Sequence, residues 1–171
     1  MRHDEIIKIK KPEGHYCFAC GTANPVGLNL EFYTDNEKIF SEITLGRYHI
    51  GWADIIHGGI ISTLLDEVMS WTILYFRRIF FVTRKMEIKY IKPIQTGVPL
   101  VVSGSIVSCG DSEKVITVKG ELRDKQNTLL AKSKGEFIKI AREDISPDFK
   151  GSEKEIFSLI DGLPSLKDND Q

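Results

Sequence analysis

The sequence predicts an α+β domain in which an antiparallel sheet packs on one long helix. Apolar and polar residues alternate in several short runs divided by turn formers, the signature of strands joined by tight turns. Only one long stretch, Gly58 to Phe76, has helical periodicity instead. It falls between an opening hairpin and a strand meander, an order that fits α+β rather than repeated βαβ units.

The elements follow in order. Residues 1–27 read as an irregular lead-in, rich in turn formers at Pro12-Glu13-Gly14, Gly21, Asn24-Pro25 and Gly27. Alternation starts at Leu28, Leu30 and Phe32, turns at Asp35-Asn36, and resumes at Ile39, Ile43 and Leu45 as the second strand of a hairpin. Beyond the helix, one strand carries Met86, Ile88 and Tyr90, and the next runs from Leu100 to Ile106. Turns at Cys109–Ser112 and Asp124–Asn127 lead into Val115–Leu122 and Leu129–Ile140. The main domain is therefore placed at 28–141, followed by a polar extension, 142–171, expected outside the core. Within it, Ser152-Glu153-Lys154-Glu155 is a capping box for a short helix carrying Ile156, Leu159 and Ile160.

Composition narrows the function classes. The 171 residues carry 42% hydrophobic and 27% charged side chains, an ordinary globular balance. A net charge of -1 supplies no general attraction for nucleic acid or an anionic membrane. No apolar run reaches the roughly 20 residues of a membrane span, and the N-terminus lacks a signal-peptide pattern. The expectation is a cytoplasmic protein without nucleic-acid or membrane partners. The three cysteines do not suggest a disulfide framework. Cys17-Phe18-Ala19-Cys20 has half the spacing of a zinc knuckle, but no second pair follows, so reduced thiols in a turn are the favoured reading and no metal or cofactor is expected.

On a helical wheel, Ile60, Ile61, Leu64, Leu65, Val68, Met69 and Trp71 fill one half. Ser62, Thr63, Asp66 and Ser70 cluster opposite, with Glu67 at the margin, and Ile73 and Leu74 close over the polar arc. A carboxylate there is partly exposed, paired or functional. His57-Gly58-Gly59 opens the helix with backbone N–H groups that lack intrahelical partners. With the positive end of the helix dipole, they suit an oxygen gaining negative charge. Amide donors and a carboxylate on one helix point to attack of water on an activated acyl carbonyl. His57 reads as a capping or orienting residue rather than a base.

His57-Gly58-Gly59 with Asp66 nine residues after the histidine resembles the hot-dog-fold acyl-CoA thioesterases of the phenylacetate-degradation type. The segments Cys17-Phe18-Ala19-Cys20-Gly21, Asn24-Pro25-Val26-Gly27-Leu28, Leu65-Asp66-Glu67 and Tyr90-Ile91-Lys92-Pro93 share the likeness, which spans about Cys17 to Ile140. The resemblance implies five or six strands wrapped around one central helix, a homodimer or homotetramer with sites at the interface, and acyl-CoA substrates. It implies Asp66 as nucleophile or general base, Gly58 or Gly59 as the amide polarising the carbonyl, and Thr83 as a hydroxyl helping to hold water. Gly51 stands where several relatives carry Asn or Gln, which shifts water positioning toward Glu67, Ser70 or a partner residue. The rivals are a non-catalytic acyl-CoA sensor and a hydratase or dehydratase. The latter pairs Asp with a His five residues on, where this chain has Trp71.

Overall fold

The computed structural model describes residues 6–109, 114–141, 144 and 160–163. A seven-stranded, wholly antiparallel sheet has the order β1-β2-β3-β7-β8-β9-β6. Its strands are β1 (Ile7–Ile9), β2 (Phe32–Thr34), β3 (Ile39–Thr44), β6 (Phe81–Tyr90), β7 (Pro99–Cys109), β8 (Val115–Asp124) and β9 (Leu129–Lys139). A separate ribbon pairs β4 (Ile50–Trp52) with β5 (Ile55–Ile56) and delivers the chain to α1 (Gly58–Arg77). No described helix is long and apolar enough to cross a membrane.

Six of the seven strands are those the alternation predicts, and the seventh comes from the lead-in, where none was expected. Ile7 and Ile9 pair with Thr34 and Phe32. Lys11 fastens this segment: its buried ammonium donates to the carbonyls of Cys20 (3.0 Å) and Leu30 (2.7 Å) and to Asn29 Oδ1 (3.0 Å), and pairs with Glu31 at 3.1 Å. A buried lysine persists only when so fully paired. The strand expected from Leu28 instead begins at Phe32. Asn29 takes a left-handed φ of 47°, and the amides of Leu28 and Leu30 bond to Phe18 and Ala19 of the lead-in. The β8–β9 turn is as expected, with Asn127 left-handed (φ 66°) and its N–H bonded to Asp124.

The sheet closes on α1 through small residues. A Cβ on Gly104 of β7 would strike Thr72 Oγ1 and come within 2.9 Å of the Val68 carbonyl oxygen. One on Gly120 of β8 would lie 3.2 Å from Leu65 Cδ2. These glycines let the helix lie almost on the backbone of β7 and β8. Leu64, Leu65, Val68, Met69, Trp71, Ile73 and Tyr75 are buried, and Trp71 stacks on Phe32 at 4.5 Å between ring centroids. Met69, Trp71 and Tyr75 thus serve packing. The C-terminal extension also differs from expectation: Ile160 and Leu163 are buried, and Arg78 donates to the Ile160 carbonyl at 3.2 Å. Ile160–Gly162 is helical, while the capping box and most of the anticipated helix lie outside the described residues.

Candidate active site

The site starts at the entry to α1. His57 is the N-cap, in extended conformation, and its Nδ1 accepts from the Gly59 N–H at 2.8 Å. The ring is thereby assigned to capping, with Nδ1 as acceptor. The Gly59 amide is occupied by that bond, whereas the Gly58 N–H has no acceptor among the described residues. Gly58 sits against the Tyr90 ring, and its carbonyl accepts from Ser62 Oγ (2.9 Å) and the Tyr90 hydroxyl (3.1 Å). Ser62 and Tyr90 bond each other at 2.8 Å, so β6 grips the first turn of the helix. His57 is exposed and Gly58 half-buried, leaving this positive helix end open.

Gly51 lies directly under His57. A Cβ there would come within 2.9 Å of His57 Cδ2 and 3.1 Å of its Cα. The His57 amide donates to the His49 carbonyl (2.9 Å), while His49 Nδ1 accepts from Gly46 (3.2 Å). The loop before the helix is therefore pinned by its histidines, and Trp52 projects from it, 83% exposed.

Two turns on, Asp66 is half-buried and accepts from Thr83 Oγ1 of β6 at 3.1 Å. Burial raises its pKa above the usual carboxylate range, and the Thr83 bond opposes part of that rise. At about 1.5 Å per residue, Asp66 is roughly 10–12 Å along the axis from Gly58. A thioester carbonyl cannot touch both groups within one chain. The two groups therefore stand apart along one helix.

Glu67 turns the other way. Its Oε1 accepts from Trp71 Nε1 at 3.0 Å, and its two oxygens lie 3.8 and 3.9 Å from Cys17 Sγ. Burial pushes its pKa up to about 7, with the adjacent Cys17 adding to the shift. Cys17 is drawn down to about 5, chiefly by the Cys20 thiol donating to it, and Cys20 is pushed up as it keeps that proton. Ser70 is half-buried, one turn beyond Asp66 on the same face. Among the basic residues at the end of α1 and along β6, Arg78 is engaged in the C-cap and against Ile160 and Tyr75, and Lys85 pairs with Glu87 at 2.7 Å. Arg77, Arg84, Lys89 and Lys92 are exposed.

Residues 53–131 match the family described as the thioesterase superfamily, a span that begins just before the helix and ends in β9. The chain carries that fold. This is a hot-dog fold, and its segment from the helix entry to β9 is similar to the thioesterase superfamily. A solved thioesterase superfamily protein superimposes with a TM-score of 0.67 at 20% identity, over 72% of this chain and 60% of that one, so the chain covers under two thirds of that relative. The E. coli PaaI protein from the phenylacetic acid degradation operon gives a TM-score of 0.60 at 16% identity, covering 67% of this chain and 81% of its own. A Streptococcus mutans protein bound to acetyl CoA gives 0.54 at 20% identity, over 61% and 82%. No curated protein matches the sequence significantly. At these identities the structural likenesses establish the hot-dog fold.

Two features escaped sequence reasoning. Lys11 gave no signal beyond being a lysine in a polar segment. The approach of Glu67 to Cys17 joins residues 50 apart, which no local pattern encodes.

Proposed function

We propose that the chain hydrolyses acyl-CoA thioesters to free acid and coenzyme A, using sites completed by two copies of itself. The observation carrying this reading is the pair of half-sites on α1: a half-buried carboxylate held by Thr83, and an unoccupied Gly58 N–H at an open helix end. In a homodimer, or a homotetramer built as a dimer of dimers, the Gly58 end of one protomer would face Asp66 of the other. The Gly58 N–H then donates to the thioester oxygen and stabilises the negative charge that develops on it. Asp66 takes a proton from a water as that water attacks the carbonyl carbon; the C–S bond breaks, and the leaving thiolate receives the proton. In the direct alternative, Asp66 itself attacks and water cleaves the resulting anhydride. Thr83 holds the carboxylate rotamer, and Ser70 is placed to bond a water beside it. His57 caps the helix and keeps the Gly59 amide engaged, so that Gly58 is the donor left for substrate.

Acyl-CoA as the substrate class draws support from the superfamily match and from the acetyl-CoA-bound neighbour. Exposed Arg84, Lys89 and Lys92 on or beside β6 are candidates for the phosphates of CoA, and a cytoplasmic setting fits this substrate. A non-catalytic acyl-CoA sensor is the second reading. It is favoured by Gly51, which offers no side chain to orient water, and by Glu67, which is turned toward Trp71 and Cys17. Thiol release from short, medium, long and phenylacetyl CoA esters separates the two. Hydrolysis of at least one ester is expected; tight binding of an ester without any thiol release would replace the hydrolase with the sensor.

A further inference from the structure

We propose that Cys17, Cys20 and Glu67 form a site for a thiophilic divalent cation, zinc by its ligand chemistry, which clamps the lead-in onto α1 beside Asp66. The ligand atoms of these three residues all lie within 4.8 Å of one another. With Zn–S near ~2.3 Å and Zn–O near ~2.0–2.2 Å, ligands on a tetrahedron sit roughly 3.5–3.8 Å apart. Cys17 Sγ already lies 3.8 and 3.9 Å from the Glu67 oxygens. Side-chain adjustments of less than about an ångström close the remaining gap.

The local backbone is arranged as a metal knuckle. The Gly21 N–H closes the turn on the Cys17 carbonyl at 2.9 Å. A Cβ at Gly21 would meet Cys17 N at 2.6 Å and the His15 carbonyl at 2.7 Å, so the tight turn excludes any other residue. Trp71 Nε1 holds Glu67 Oε1 at 3.0 Å, the kind of outer bond that orients a metal-binding carboxylate. The Lys11 ammonium, 3.0 Å from the Cys20 carbonyl, lends positive charge beside a site whose ligands total more negative charge than the cation neutralises. Three protein ligands leave a fourth position for a water. Two thiolates with a carboxylate favour zinc over magnesium or calcium, which take oxygen ligands. The sequence hid this site because its third ligand lies 50 residues from Cys17.

The site is separate from the hydrolytic groups, and its test does not depend on activity. Full-length protein, reduced and stripped with chelator, is titrated with Co2+ and then Zn2+. We expect one equivalent of Co2+ to give thiolate-to-cobalt charge-transfer and tetrahedral ligand-field bands that Zn2+ abolishes, with a higher Tm. Glu67→Gln and Cys17→Ser should each weaken binding at least about tenfold, whereas Cys109→Ser leaves it unchanged. Far-UV circular dichroism checks that each variant is folded. If Cys17→Ser fails to fold, Glu67→Gln alone decides. Absence of thiolate bands in reduced wild type, or full affinity in folded Glu67→Gln, overturns the proposal. So does a Cys17–Cys20 disulfide that, once reduced, takes up no metal.

Discussion

The two faces of α1 come from the same twenty residues and are built to opposite rules. One face, with Leu64, Leu65, Val68 and Met69, is sealed against β7 and β8, where glycines bring the helix almost onto the strand backbone. The other carries Gly58, Ser62, Asp66 and Ser70, all half-buried. Ser62 bonds to Tyr90 and Asp66 to Thr83, both on the edge strand β6. On the first face these side chains are fully buried, so substitutions there act on stability. On the second, polar groups are held in position yet left accessible, so under the proposed function substitutions there act on turnover. The lesson is that a single amphipathic helix can be sealed on one face and present accessible polar groups on the other, because its contacts on the two faces are nearly independent.

The largest expected separation between the faces comes from Asp66→Asn. It keeps the shape and the Thr83 partner, and turnover should fall about 100-fold or more with the Tm nearly unchanged. The converse is Gly104→Ala on the sealed side. Its new methyl collides with Thr72 and the Val68 backbone, and chemical denaturation should show a loss of about 1–3 kcal/mol, while the kcat of the folded fraction stays close to wild type. Thr83→Val removes the only described hydrogen bond to Asp66, and kcat should drop roughly tenfold, the scale of one bond to a charged group. Gly51→Asn, which adds a polar side chain under the cap, should lower turnover rather than raise it, since its Cβ would press on His57 and disturb the cap.

The smallest effect lies away from both faces. Burial alone would raise the Glu31 pKa, but bonds from Lys8 and Lys11 outweigh it and hold the folded value below normal. The pair therefore adds stability above the ordinary carboxylate pKa of about 4.3, and that contribution disappears as pH falls through the lowered folded value. With Glu31 38% exposed, the contribution is under about 1 kcal/mol. Thermal unfolding of Glu31→Gln against wild type should differ near neutral pH and converge in acid.

Much of this was legible in the sequence, because the signals are local. The helix, its His57-Gly58-Gly59 start and the half-buried position of Asp66 follow from a periodicity read over twenty residues. The six longer-predicted strands follow from alternation and turn chemistry. What stayed hidden depends on tertiary placement. Leu28, Leu30 and Phe32 alternate like a strand, yet the left-handed Asn29 and the bonds to Phe18 and Ala19 hold their first half out of the sheet. Lys11 is buried because four acceptors from distant positions meet around it. The orientation of Glu67 toward Cys17, and the return of Leu163 to the core, likewise arise only when the chain is folded.

The requirement for two copies is tested most directly by mixing two inactive proteins. Gly58→Pro removes the amide donor at the first helical position, where proline is tolerated, and His57 already has the extended backbone that precedes proline. Asp66→Asn removes the carboxylate. After the two are unfolded and refolded together, statistically mixed dimers contain one intact site in each heterodimer, and thiol release should recover to about a quarter of wild type. A mixture that forms heterodimers yet remains as inactive as either parent would contradict the shared site.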